Sequence, residues 1–318
     1  MRRFLFLFII PYGNIQKEPN QPYFRSSSEY LHNFNLQNSV LFAMLRLKER
    51  YLMKKIIFIL IFAVIGFQFF ATEQVGAPDL PQQLSLASYS VSNGDLVLVN
   101  RDIALQNEPG NLAPIPADIA KNVIVNSEYF LEEQAIAPLQ QLFDAAAEDG
   151  IEHFIINSAY RSGKLQKQLF DQIGADYALP AGYSEHQTGL SIDIGSTVGK
   201  MENVAEGKWM EEHAAEFGYI LRYPKHKVDM TGIEYEPWHF RYIGLPHSVV
   251  MKQHDFVFEE YIAYLKEKQF YKMKVDDTTY FVHYTDNKTS VNTLESNKVK
   301  VSGDNVGGYI ITSVLEEI

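Results

Sequence analysis

The chain contains no cysteine. That removes thiol nucleophiles, thiolate metal sites and disulfides together, so any metal must be held by imidazole and carboxylate. A lipid anchor on cysteine is excluded for the same reason. Positive charge is also short. Against 39 Asp and Glu stand 28 Lys and Arg, for a formal net charge of -11. No basic stripe is present, which argues against a nucleic-acid partner, because phosphate neutralisation needs clustered cations. Three chemical signatures are missing as well. There is no His-Glu-x-x-His helix and no Gly-x-Ser-x-Gly elbow, and Ser162-Gly-Lys164 lacks the upstream glycine of a phosphate loop. A Ser-x-x-Lys motif does not organise the chain. Internal repeats and low-complexity tracts are absent.

What is present is 318 residues with 46% apolar content, enough for one sizeable domain with appendages or two small ones. Met1-Arg-Arg precedes a short apolar run, Phe4 to Ile10, which Pro11 and Gly13 stop. Met53-Lys-Lys then leads into Ile56 to Ala71, where only Gln68 is polar. A basic start before such a run is the layout of a secretory signal or an uncleaved anchor, with a buried core helix as the bland alternative. The expectation is that translation starts at Met53. Residues 1–52 would then be an upstream extension and 53–77 the targeting segment, with Val75-Gly-Ala77 a weak cleavage site. Residues 78–94 read as a linker.

Beyond it, Asp95 to Asn100 reads as a short strand, and Gln106 to Pro116 as a loop. Ser127 to Glu148 is the clearest helix, because Leu131, Ala135, Leu139, Leu142, Phe143 and Ala146 recur at three-and-four spacing. Ser127 is its expected N-cap and Gly150 its stop, and Pro138 predicts a kink or two shorter helices. Phe154 to Asn157 is a buried strand. Leu165 to Ile173 is a helix with Leu165, Leu169 and Phe170 on one side. Leu190 to Ile194 is a strand, Lys208 to Phe217 a helix closed by Gly218, and Tyr219 to Arg222 a strand. Val249 to Phe270 reads as one surface helix, and Tyr271 to Ile318 as a small β-rich appendage in which no chemistry is visible.

Three islands carry the chemistry: Ser158-Ala-Tyr-Arg-Ser162, Ser184-Glu-His-Gln-Thr-Gly-Leu-Ser-Ile-Asp193 and Glu236-Pro-Trp-His-Phe-Arg-Tyr242. A hydrolytic zinc site wants three protein ligands and one open position. His186 and Asp193 are separated by a turn that Gly189 permits, and His239 is the natural third ligand. Glu236, three residues before His239, can move a proton between water and a leaving amine. In a regular strand those two positions face opposite ways, so the backbone must bend near Pro237. Arg161 suits an anionic substrate end or a developing oxyanion. Tyr183 and Ser184 could bind substrate, and Trp238 and Tyr242 could wall a pocket. Residue types alone leave the bland reading open, in which Asp193 is a turn residue and Arg161 a surface ion pair. The other seven of the nine histidines read as structural or surface groups.

In this order and spacing the islands resemble the VanY-type D-alanyl-D-alanine carboxypeptidases of peptidase family M15. Phe217-Gly-Tyr-Ile-Leu-Arg-Tyr-Pro224 and Leu98-Val-Asn100 are similar to that family too, and Ala159 stands where glycine is common. The resemblance covers roughly residues 95 to 250. It implies one zinc on His186, Asp193 and His239, Glu236 as general base and acid, and Arg161 at the substrate. It implies an α+β fold of the DD-peptidase type, a small antiparallel sheet flanked by helices. The expected division is a zinc carboxypeptidase domain over 95–254, followed by a helix and β-rich appendage over 255–318. The implied substrate is a peptidoglycan stem peptide trimmed at its C-terminal D-alanine, outside the cytoplasmic membrane. Contact with the membrane is expected only through residues 54–71, and a monomer is expected. An L,D-carboxypeptidase acting on tetrapeptide stems is the alternative within the family, and a non-catalytic wall-binding module the alternative outside it.

Overall fold

The computed structural model describes residues 79–174, 178–296 and 298–315. The expected upstream extension 1–52 and targeting segment 53–77 lie outside the described residues. Among the described residues no helix is long and apolar enough to cross a membrane.

In chain order the elements are β1 (Gln82–Ser85), β2 (Leu112–Pro114), β3 (Val123–Ile124), β4 (Phe130–Glu132), α1 (Glu133–Glu148), β5 (Phe154–Ser158), α2 (Gly163–Ile173), β6 (Ser191–Ser196), α3 (Ala205–His213), β7 (Tyr219–Leu221) and β8 (His239–Tyr242). Helices α4 (His247–His254) and α5 (Phe258–Lys268) follow. The chain ends in β9 (Phe270–Val275), β10 (Thr278–Thr285), β11 (Ser290–Thr293), β12 (Lys298–Gly303) and β13 (Tyr309–Leu315). A five-stranded sheet, in the order β3-β5-β6-β8-β7, is antiparallel except for the β3–β5 pair. The expected α+β class with a small, mostly antiparallel sheet is what the chain adopts.

Helix α1 buries the face its spacing prescribes. Ala135, Leu139, Leu142, Phe143 and Ala146 are sealed against Phe154, Ile156, Ile192, Ile194 and Phe240 of the sheet. Each large side chain so buried contributes about 1.5–3 kcal/mol. The helix starts later than expected, because Phe130–Glu132 pairs with Leu112–Pro114 and is committed to a strand. Ser127 therefore caps nothing. Pro138 lies inside one continuous helix rather than dividing it. It removes only the bond that residue 138 would donate to the Gln134 carbonyl, and packing of the apolar face outweighs that loss.

Four other expectations are corrected. The linker 78–94 is partly a strand, since Gln82–Ser85 pairs with Ser290–Thr293. Asp95 to Asn100 is buried but forms no strand. Its carbonyls at Asp95 and Val97 accept from the Arg241 guanidinium, and Leu96 N–H donates to Ser302 Oγ. In α2, Leu165 is exposed and Gln166 is buried, because Gln166 is drawn inward by polar partners rather than by apolar contact. Val249 to Phe270 is two helices, broken where Asp255 takes a left-handed φ of 54°. It does not lie on the surface. Val250, Phe258, Ile262 and Leu265 share a second core with Leu96, Leu98, Ile220, Ile243, Val282 and Ile310. The C-terminal strands, in the order β12-β13-β10-β9, are thus built onto the residues that flank β7 and β8.

Candidate metal centre

Two features of the sheet bring the site together. Glu185–Thr188 forms a tight helical turn that ends at Gly189 with φ 69°. A Cβ at Gly189 would stand 2.7 Å from Leu112 Cδ2, so only glycine fits the left-handed backbone and the close approach together. The chain then enters β6, whose Asp193 lies directly opposite His239 of β8 and Ser158 of β5. Opposed residues of an antiparallel pair share a face. His186 on the turn, Asp193 and His239 therefore converge, and one donor atom from each lies within 4.8 Å of the others.

The bend expected at Pro237 is a turn closed by His239 N–H donating to the Glu236 carbonyl at 3.1 Å. It places Glu236 Oε2 3.5 Å from His239 Nδ1. Trp238, at the turn's next position, is 40% exposed and stands at the rim.

The imidazole tautomers follow from their outer partners. His186 Nδ1–H donates to the Ala159 carbonyl at 2.7 Å, which leaves Nε2 facing Asp193 Oδ2 at 3.4 Å. His239 Nε2–H donates to Glu185 Oε2 at 3.4 Å, which leaves Nδ1 facing Asp193 Oδ1 at 3.3 Å. Asp193 thus turns one carboxylate oxygen to each imidazole. One donor atom from each of the three side chains lies within 4.8 Å of the others, close enough for all three to bind one metal ion. Asp193 Oδ1 is moreover a buried oxygen that accepts no hydrogen bond. A buried carboxylate oxygen without a partner is costly, and a cation at this point removes the cost. Two imidazole nitrogens and a carboxylate suit zinc rather than calcium or magnesium, which take all-oxygen shells. The residues fit the metal.

Electrostatics agree with that division of roles. Burial pushes the Asp193 carboxyl up, but His186 and His239 overcome it and hold it well below the usual range. Burial pushes Glu236 up, and Asp193 and Glu185 add to the effect. Against the opposing His239 and His186, its value stays raised. Burial pulls His239 down, yet the neighbouring carboxylates of Asp193, Glu185 and Glu236 lift it to about 9 in the metal-free protein.

Arg161 leaves β5 beside the turn, its N–H bonded to the His186 carbonyl at 3.1 Å. Its guanidinium is held by Gln166 Oε1 at 2.8 Å and Ser158 Oγ at 3.0 Å. Burial lowers its pKa, and Asp193 acts in the opposite direction. Ser184 is buried at the start of the turn and Tyr183 is half-buried before it. Neither side chain makes a hydrogen bond among the described residues. Tyr242 lies away from the centre, packed on Tyr219.

The sequence reading missed the group beneath the metal ligands. Glu185 is fully buried, with Arg222 Nε at 2.9 Å and Arg241 Nη1 at 3.2 Å on one oxygen, and Ser191 Oγ and His239 on the other. Burial opposes its charge, but the two guanidiniums prevail and keep it ionised, well below the usual carboxylate range. One signal was available. Arg241 follows His239 by two positions, so in a strand the two share a face, and a cation there has to be paired.

The family model described as VanY, D-alanyl-D-alanine carboxypeptidase, matches residues 128–245. A D-alanyl-D-alanine carboxypeptidase of Enterococcus faecium is 39% identical over 247 residues, covering 76% of this chain and 82% of the relative. The bifunctional D-Ala-D-Ala dipeptidase and carboxypeptidase VanXYC of Enterococcus gallinarum is 34% identical over 192 residues, covering 54% of this chain and 95% of the relative. Among solved structures, the D,D-dipeptidase VanXYg in complex with a D-Ala-D-Ala phosphinate analogue superposes with a TM-score of 0.64 at 26% identity, covering 74% of this chain and 99% of the other. The family model spans all three islands that build the metal centre, and the extent and identity of the match to the Enterococcus faecium relative establish that the chain belongs to the VanY family of D-alanyl-D-alanine carboxypeptidases.

Proposed function

We propose that this protein is a zinc-dependent D,D-carboxypeptidase that removes the C-terminal D-alanine from peptidoglycan stem peptides. The observation that carries the reading is the convergence of His186, Asp193 and His239, with the Glu236 carboxylate beside them. Zinc, when bound, supplies a Lewis acid that polarises a carbonyl and acidifies water. Glu236 takes the proton from the attacking water and delivers it to the nitrogen of the departing D-alanine, so the acid and amine products balance. Its raised pKa fits both halves of that exchange. Arg161, held by Gln166 and Ser158, keeps further N–H donors to grip an anionic group of the substrate. Tyr183, Ser184 and Trp238 are assigned to the substrate side on their position in and beside the turns that carry His186 and Glu236.

We further propose that the reaction takes place outside the cytoplasmic membrane. The Met53-Lys-Lys start and the apolar run to Ala71 support export or anchoring there, and the absence of cysteine is compatible with it. The test is metal analysis of the purified protein paired with D-alanine release from pentapeptide and tetrapeptide stems. One zinc per chain and release from the pentapeptide are expected. Release from the tetrapeptide alone would move the protein to L,D-specificity, and bound zinc with no release from either would make it a wall-binding module.

A further inference from the structure

Helix α5 lies beyond residues 128–245, the segment that matches the family model. It nevertheless reaches the metal centre. Glu259, in its first turn, holds Arg222 through two bonds, Nη1 to Oε2 at 2.9 Å and Nη2 to Oε1 at 2.7 Å. Asn100 Nδ2 fixes the same carboxylate at 3.1 Å. Arg222 Nε reaches Glu185 Oε1 at 2.9 Å, and Glu185 Oε2 faces His239 Nε2 at 3.4 Å. The preceding residue, Phe258, is fully buried and lies beside both guanidiniums, 5.8 Å from Arg222 and 5.4 Å from Arg241. One turn of one helix therefore supplies both the apolar cover and the second anion of a four-charge group, Glu185 and Glu259 against Arg222 and Arg241.

Resting on the reading that His239 is a metal ligand, we infer that Glu259 is a positioning residue for the metal centre, acting through Arg222 and Glu185 on the Nε2–H of His239. The physical reason is balance. Glu185 accepts from both guanidiniums on one oxygen and serves His239 with the other. Glu259 takes up the two terminal nitrogens of Arg222. Without its charge, Arg222 has Glu185 as its remaining anionic partner, and the carboxylate is drawn toward the arginine and away from His239. The imidazole then loses the partner that fixes its tautomer and ring angle, on which ligand strength depends. A fully buried guanidinium left short of anion is also costly in itself.

The full chain with Glu259→Gln tests this by zinc affinity in chelator competition and by the visible spectrum of the cobalt-substituted protein. About tenfold weaker zinc binding and a shifted cobalt band are expected, within the range of outer-sphere metal partners. Leu265→Ala, in the same helix but packed only in the apolar core, is the control. It lowers thermal stability and leaves both metal readouts at the wild-type value. If Glu259→Gln does not fold, Glu259→Asp keeps the charge and shortens the reach, and a smaller weakening in the same direction is expected. Wild-type affinity and an unchanged cobalt band in whichever variant folds would overturn the inference. So would an equal loss in Leu265→Ala. A wild-type chain that binds no zinc, or one whose zinc binding survives His239→Ala, would instead refute the assignment of the metal centre itself.

Discussion

His239 and His247 are both almost fully buried, and both sit on elements that frame β7. Their surroundings are opposite. Around His239 stand the carboxylates of Asp193, Glu185 and Glu236, and its imidazole is lifted to about 9 although burial pulls the other way. Around His247 stand two hydroxyls, Tyr261 Oη at 2.6 Å from Nδ1 and Thr312 Oγ1 at 2.9 Å from Nε2. There burial, with Lys300 adding to it, presses the imidazole down to about 3. Burial is thus the same pressure in both places, and the neighbours decide the result. One site is poised for a cation. The other holds a neutral ring that locks α4, α5 and β13 together.

The sharpest way to break this contrast is to remove each ring. His239→Ala should lose zinc affinity by more than ~100-fold and lose D-alanine release with it, as metal content and turnover would show. His247→Ala should destabilise the fold yet bind zinc normally in whatever fraction stays folded. Zinc loss in folded His247→Ala would erase the distinction. Next in size is Glu236→Gln. Turnover should fall by ~10²–10⁴ while one zinc per chain remains, because a general base is lost and no ligand is. Substantial residual turnover would remove Glu236 from that role.

A pH titration separates the two surroundings more gently. The folded value of His247 lies below the ordinary 6.5, so its neutral ring contributes stability that is complete above pH 6.5 and is lost as pH falls toward about 3. The full loss is on the order of 5 kcal/mol, about 1.4 kcal/mol for each unit. Chemical denaturation between pH 7 and 4.5 should show a steeper decline in the wild type than in His247→Gln, whose side chain does not titrate. Parallel curves would mean that the ring finds a partner when charged. The smallest effect is expected from Tyr261→Phe. It removes one hydroxyl that serves both His247 and Tyr271, should cost ~1 kcal/mol in thermal or urea unfolding, and should leave the turnover rate unchanged.

The two histidines also mark how far the sequence could be read. His239 was legible because its neighbours in the chain, Glu236 and Pro237, state a geometric requirement that the turn at 236–239 meets. His186 and Asp193 were legible through Gly189, since a turn followed by a strand leaves few ways to orient the two side chains. Glu185 and Arg222 were not, because their roles depend on each other across the fold and not on local spacing. Glu259 was least legible of all. It lies next to Glu260 in an amphipathic helix, and nothing local distinguishes the carboxylate that pairs with Lys227 from the one that pairs with the fully buried Arg222. The break at Asp255 was hidden in the same way, by an apolar pattern that continues on both sides of it.

The pairing of β1 with β11 has a consequence for how the chain comes into being. Gln83 and Ser290 are neighbours in space and 207 residues apart in sequence. Synthesis runs from one end, so β1 waits for some two hundred further residues before its partner exists. Leu96 and Leu98 wait likewise for Ile310 to complete their core. Contacts of such long range close late and slowly. The β1–β11 ladder and the core around Leu96 and Leu98 are therefore among the last parts of this fold to close.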